Sequence, residues 1–176
     1  HNVGISAEVE ETGDTLEANA ILKARAYAMQ SGLPTLADDS GLEVAALNGE
    51  PGVRSARYAG PNATSEERYH LLLRRMERVP AGQRAARFRC VIALAKPDAE
   101  VVTVEGECAG EIAFEPRGVG GFGYDPVFFM PERGKTMAQL SAEEKNAVSH
   151  RGRAAAKARQ VLRGWLEAEK AESGKQ

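Results

Sequence analysis

The sequence predicts an α/β fold around a mixed sheet. Helical and extended segments alternate through the first half of the chain, the pattern of a layered α/β domain. Two strand-like runs in the middle, RFRCVIALA and VVTVEGECAGEIAFE, are joined by KPDA and read as an antiparallel pair in the same sheet. No repeat, low-complexity linker or shift in composition divides the 176 residues, so one domain is expected.

Composition narrows the function. With 43% hydrophobic and 27% charged residues, the chain can bury a core without disulfide or metal staples. Lys plus Arg number 23 against 25 Asp plus Glu, a formal charge of −2 that offers no basic footprint for nucleic acid or an anionic membrane. No apolar run reaches the ~18 residues a membrane span needs, and no leader pattern is present, so a cytoplasmic setting is expected.

The elements follow in order. Residues 14–31 read as a helix capped by Asp14, with Glu17 three residues on. Leu16, Ala20 and Tyr27 mark one apolar stripe; Ala18, Leu22, Ala26 and Met29 mark another. Gly32 ends the helix and Pro34 prevents its resumption. A short strand, Thr35 to Ala37, leads into a turn-like Asp38-Asp39-Ser40-Gly41, and LEVAAL continues extended to an Asn48-Gly49 turn. Residues 48–63 are loop-like. Thr64 and Glu67 form a capping box for a helix from Ser65 to about Val79. A hairpin turn centred on Pro97 and Asp98 sets Cys90 opposite Glu105 and Cys108 opposite Arg87, which points the two sulfurs to opposite faces as reduced, partly buried thiols. A GVGGFG loop and an aromatic strand, YDPVFFM, come next. Ser141 and Glu144 form a second capping box for a helical C-terminal third, which Gly152 is placed to break and whose tail AEKAESGKQ frays.

Two familiar patterns fail on context. Gly118, Gly120 and Gly123 have dinucleotide-loop spacing, but an extended aromatic run follows where a helix should open. Gly134-Lys135-Thr136 resembles the end of a P-loop, yet Phe129 stands where its first glycine belongs. No metal-ligand spacing links His1, His70 and His150, which argues against zinc, and no nucleophile elbow surrounds Ser40.

A stronger signal is Asp38-Asp39 at the end of a strand, where open α/β sheets bind ligands. Adjacent carboxylates suit Mg²⁺, which takes a few carboxylates plus phosphate oxygens; the same residues also make an ordinary turn. Asn19 and Lys23 share a helix face and Glu11 precedes it, so an acid and a lysine can flank that turn, or simply form a solvated surface. Arg151, Arg153, Lys157, Arg159 and Arg163 form a basic run whose favoured reading is a charged helix face rather than a nucleic-acid surface.

The stretches EETGDTLEANAILKARAYA, LPTLADDSGLEVAALNGEPGVRSARYAG, GGFGYDPVFF and GKTMAQLSAEEKNAVSHRGRA, in this order, closely resemble the inosine/xanthosine triphosphate pyrophosphatases. The resemblance covers most of residues 10–154. It implies a long mixed sheet flanked by helices, with two lobes around a nucleotide cleft, usually in a homodimer. It implies Mg²⁺-dependent cleavage of ITP, dITP or XTP to the monophosphate and pyrophosphate. By the same resemblance, Asp39 is the proton acceptor and a Mg²⁺ ligand, Asp38 supports the metal or orients water, and Glu11 completes the metal site. Lys23 contacts the phosphates and Ser40 the substrate. Phe122, Gly123, Tyr124 and Asp125 form the loop that packs on the nucleoside. Lys145, His150 and Arg151 bind substrate, the last two near the base. One departure stands out. The family opens with a strand, a turn carrying Ser/Thr-x-Asn-x-x-Lys and a helix, and the stretch beginning at His1 has no match to them. The alternative expectation is therefore a homologue that binds nucleotide without cleaving it.

Overall fold

The structure, a computed structural model, describes residues 9–97 and 101–173. Four helices, α1 (Leu16–Ser31), α2 (Ser65–Arg75), α3 (Ala142–Val148) and α4 (His150–Ser173), accompany six strands. The strands are β1 (Thr35–Val44), β2 (Pro51–Gly52), β3 (Ala85–Ala95), β4 (Val102–Ile112), β5 (Phe128–Met130) and β6 (Lys135–Thr136). They form one sheet in the order β2-β1-β3-β4-β5-β6. The α/β class stands. The sequence suggested a mixed sheet, whereas every pairing among the described residues is antiparallel. Parallel pairing needs a crossover between two strands of one sheet, and no described strand precedes α1.

The helix ends follow local chemistry. Thr15, not Asp14, caps α1: its backbone is extended and its hydroxyl accepts from Ala18 N at 3.1 Å. Gly32 closes the helix in the left-handed conformation. The face turned to the sheet is Leu16, Ala20, Ala24 and Ala28, whereas Met29, from the other stripe, is 75% exposed. Small side chains let α1 lie close to the sheet, and Asn19 is fully buried beside them. Both expected capping boxes form, at Thr64–Glu67 and Ser141–Glu144, although α2 stops at Arg75, short of Val79. The helical third breaks at Ser149 rather than at Gly152. Ser149 is extended and its hydroxyl accepts from Gly152 N at 3.1 Å, which caps α4. The tail continues as helix through Ser173, and residues 174–176 lie outside the described residues.

The strands depart from expectation in three places. β1 does not end at Ala37; it runs ten residues through the Asp38-Asp39-Ser40-Gly41 segment, paired along its length with β3, and Ala45–Leu47 turn into a 3-10 helix. The β3–β4 register is one residue off the expected one, with Cys90 opposite Gly106 and Cys108 opposite Phe88. Part of that turn, Asp98 included, lies outside the described residues. A one-residue slip turns every side chain over, so both sulfurs share one face instead of opposing ones. Burial pushes the Cys90 thiol up to about 11, which keeps it protonated. Finally, only Phe128–Met130 of YDPVFFM is strand, and Lys135–Thr136 adds an edge strand the sequence did not announce.

Alternation along the strands builds three layers. Odd-numbered β3 residues Val91, Ala93 and Ala95 meet α1 on one face. On the other, Cys90, Ile92 and Leu94 meet Ala154 and Ala158 of α4. Further along that second face, Leu42, Val44, Phe88 and Cys108 pack with Leu72 and Met76 around α2 and with Phe128 of β5. Two glycines permit the close approaches. A Cβ at Gly106 would stand 2.2 Å from His150 O and 2.4 Å from Ala154 N, where α4 crosses β4. One at Gly41 would stand 2.3 Å from Gly52 O, where β2 presses on β1.

Two further contacts fix the frame. The buried Arg84 guanidinium donates to the carbonyls of Ile112 (2.7 Å), Met76 (3.0 Å), Val79 (2.9 Å) and Ala113 (3.1 Å), which binds the end of α2 to β4. On α4, Arg153 and Lys157 donate to the Glu107 and Glu105 carbonyls at 2.8 and 2.7 Å, covering part of an edge of β4 that no strand pairs with among the described residues.

Candidate active site

Side-chain alternation along β1 decides the layout. Asp38 and Asp39 are neighbours in sequence but point to opposite faces of the sheet, so they do not form the paired carboxylates that a turn would have given.

On the α1 face, Asp39 joins Asn19, Lys23 and Glu11. The Lys23 ammonium donates to Glu11 Oε1 at 2.6 Å and to Asp39 Oδ1 at 3.4 Å, and the Asn19 amide donates to Asp39 Oδ2 at 3.3 Å. Asn19 Oδ1 accepts from Gly13 N at 2.7 Å, which holds the segment next to Glu11 against the helix. Burial raises the affinity of Asp39 for a proton and the charge of Glu11 adds to this, together outweighing Lys23 and Asn19. Burial alone would lower Lys23, but its bond to Glu11 and the two carboxylate charges hold it above the usual lysine range.

The opposite face carries a cleft of about 560 Å³. Ser40, Leu42 and Phe88 line it from the sheet, Ser55 and Ala56 from the turn after β2, the Gly120–Asp125 loop from one side, and Lys145, His150 and Arg151 from the C-terminal helices. Asp38 stands beside it. Its Oδ2 accepts from Ser40 Oγ and from Arg151 Nε, each at 3.1 Å, with the Cys90 sulfur 3.8 Å away. Phe122 is 62% exposed, and its ring centroid lies 4.6 Å from Lys145 Nζ and 5.4 Å from Arg151 Cζ. The buried Asp125 carboxylate accepts from Phe122 N at 2.8 Å and from the Lys145 ammonium, so one acid fixes both the loop and the lysine. Gly123 N donates to Ser65 Oγ at 3.0 Å at the start of α2. Tyr124 is buried and its hydroxyl donates to Ser55 O at 2.9 Å, so it braces the cleft wall. His150 stacks on Phe88 with centroids 4.7 Å apart, and its Nδ1 is buried without a partner. Burial, with the Arg151 and Lys145 charges, pulls this imidazole down to about 3, so it is neutral at pH 7.

The twelve residues singled out from the sequence thus fall into two groups. Glu11, Lys23 and Asp39 lie on one face; Asp38, Ser40, Phe122, Gly123, Tyr124, Asp125, Lys145, His150 and Arg151 lie on or beside the cleft on the other. Between them, residues 35–40 of β1 have no strand on their outer side among the described residues. Sequence reasoning did not single out Phe88 and Ser55, which line the cleft. Phe88 lies in a strand-like run and Ser55 in a loop-like one, and neither belongs to a short motif. Three members of the basic run, Arg151, Arg153 and Lys157, are engaged with this chain's own acid or carbonyls.

An exposed ring flanked by cations and a neutral buried imidazole thus stand on one side of a sheet edge, and a lysine-bridged acid pair on the other, a concave site with charged and aromatic groups suited to an anionic, ring-bearing ligand. The chain belongs to the Ham1 family, whose model matches residues 1–161. It is 56% identical over 158 residues to a dITP/XTP pyrophosphatase of Geobacter sulfurreducens, covering 90% of this chain and 79% of that protein. It superposes on the solved structure of a HAM1 protein from Coxiella burnetii with a TM-score of 0.85 and 51% identity, covering 90% of this chain and 81% of the other. A nucleoside-triphosphatase / dITP/XTP pyrophosphatase from Mycobacterium abscessus gives a TM-score of 0.76 and 47% identity, covering 89% and 80%. The family resemblance read from the sequence is borne out.

Proposed function

We propose that this protein hydrolyses the 6-oxo purine nucleoside triphosphates ITP, dITP and XTP to the monophosphate and pyrophosphate. The observation that carries the reading is the division of the site by β1, with a base-sized cleft on one face and an acid–lysine cluster on the other. The relatives that bear the name dITP/XTP pyrophosphatase support it.

The base stacks on Phe122, a contact any base can make. Selection comes from donors: Arg151, held by Asp38, donates to the 6-oxo oxygen, and adenine would present a donor to a donor at that position. His150 stays neutral there, so it adds no charge to the base site. Lys145 contributes a positive charge beside the loop, and Lys23 receives the phosphate chain where it crosses the β1 edge. Asp39 takes the proton of the attacking water: burial and the Glu11 charge raise its proton affinity, which makes it a stronger base than an ordinary carboxylate. The water oxygen bonds to phosphorus as the bridging bond to pyrophosphate breaks.

The residues fit a hard divalent cation such as Mg²⁺. Glu11 and Asp39 already share one cation, the Lys23 ammonium. Mg²⁺ takes a few carboxylates and fills its remaining positions with water and phosphate oxygens, a demand two acids can meet. Glu11 and Asp39 would hold the ion, which when bound supplies charge neutralisation on the phosphates and a more acidic water. The family resemblance carries the rest of the proposal, a single-domain homodimer working in the cytoplasm. No described helix is long and apolar enough to cross a membrane.

The test is pyrophosphate release with Mg²⁺ present. Release from ITP is expected to be far faster than from ATP, and Asp39→Asn to abolish it. Equal turnover of the two nucleotides removes the specificity claim, and tight ITP binding without release makes the protein a binder only.

A further inference from the structure

We propose that Arg57 is a polyphosphate-binding residue, the cation that guides the phosphate chain across the β1 edge from the cleft to the acid–lysine cluster. The inference rests on the nucleotide reading above and adds a residue to it.

Arg57 ends the 3-10 turn Ser55–Arg57, and that turn straddles the edge. Its first residue is tied to the β1–β2 edge and to the cleft wall. Ser55 Oγ accepts from Leu42 N at 2.8 Å and donates to Gly52 O at 2.6 Å, while its carbonyl accepts from Tyr124. Ala56, the next residue, lines the cleft. Arg57 then reaches the other group: its Nη1 lies 3.6 Å from Glu11 Oε2, the oxygen that Lys23 does not use. Three consecutive residues therefore connect the base side of the site to its acid side.

The ion pair itself is loose. At 3.6 Å it is longer than a hydrogen bond, and the Arg57 side chain is 43% exposed. A guanidinium has five N–H donors in a planar fork that matches phosphate oxygens two at a time. Among the described residues Arg57 engages only Glu11, so its fork remains available. A phosphate chain leaving the cleft beside Ala56 meets this fork before it reaches Lys23. Glu11 keeps the side chain turned toward that path in the free protein, which lowers the cost of ordering it on binding.

Phosphate number separates this role from a structural one. Binding is measured by calorimetry, with Mg²⁺ present, for IMP and for an ITP analogue whose α and β phosphates are joined through carbon and cannot be cleaved. Arg57→Gln is expected to weaken the analogue by about tenfold or more, the loss of one charge-assisted contact, and to leave IMP within about twofold. Arg57→Lys should fall between, since it keeps the charge and loses the fork. Equal weakening of both ligands makes Arg57 a support of the fold and overturns the proposal, as does an unchanged analogue affinity. Wild-type protein that binds neither ligand overturns the nucleotide reading and this inference together.

Discussion

His150 gives the fold a built-in sensitivity to acid, and replacing it with phenylalanine isolates the effect. The imidazole is 5% exposed, packed on Phe88, and has a partnerless Nδ1. Its proton affinity falls from the ordinary value near 6.5 to about 3, through burial first and then the Arg151 and Lys145 charges, with Asp38 pulling the other way. Between those two values the unfolded chain binds a proton that the folded chain refuses. The part of the stability that depends on a neutral His150 is therefore complete above pH 6.5, declines as pH falls, and is lost in full only below 3. Each pH unit inside the window is worth up to about 1.4 kcal/mol, so between pH 7.5 and pH 5 this one residue removes about 2 kcal/mol. His150→Phe keeps a ring against Phe88 and cannot titrate. The assay is urea denaturation of both proteins at pH 7.5, 6.5, 5.5 and 5.0. The gap between the wild-type stabilities at pH 7.5 and 5.0 should exceed the same gap in the variant by about 2 kcal/mol. Parallel pH profiles would mean that His150 titrates normally in the folded chain, and the reasoning from its burial would be refuted.

Two other substitutions probe the frame. Arg84→Ala strips the shared donor from four carbonyls, and a loss of about 3 kcal/mol is expected. For a domain of this size that is roughly 6–12 °C in Tm; a melting curve superimposable on the wild type would show that water replaces the guanidinium at no cost. Gly106→Ala places a methyl 2.2 Å from His150 O. Calorimetry of the variant should show both a lower Tm, reflecting about 1–3 kcal/mol of overpacking strain or more, and weaker IMP binding, because α4 carries His150 and Arg151. A normal Tm with normal IMP affinity would mean that α4 does not lie as close to β4 as described.

What was legible in the sequence was local or motif-borne. The capping boxes at Thr64 and Ser141 depend on residues three apart, so their letters predict them. Gly32 and the failed glycine loops were also decided by near neighbours. What was not legible depends on pairing at a distance. Asp-Asp-Ser-Gly has turn composition, yet ladder bonds to β3 make it strand, since tertiary context overrides propensity. The hairpin register hung on the placement of one turn, and an error of one residue there inverted the sulfurs. The motif match named twelve candidate residues but could not divide them between two faces. Arg57 and Arg84 escaped notice because their partners lie 46 residues away in one case, at Glu11, and up to 29 in the other, at Ala113. Nothing in their own neighbourhoods marks them.

The contact at Gly41 has a consequence for how such a chain can vary. Asp39 and Asp38 meet different partners only because one is odd and the other even along β1, and parity has no meaning without a fixed origin. Gly41 supplies that origin: only a residue without a side chain can sit against Gly52 O, so the strand cannot slide to put another residue there. Insertion or deletion of a single residue between Asp39 and Gly41 would exchange the faces of the two carboxylates, turning Asp39 toward the cleft and Asp38 toward α1. The distance from glycine to acid works as a ruler, and drift in this segment is confined to substitutions that leave its length unchanged.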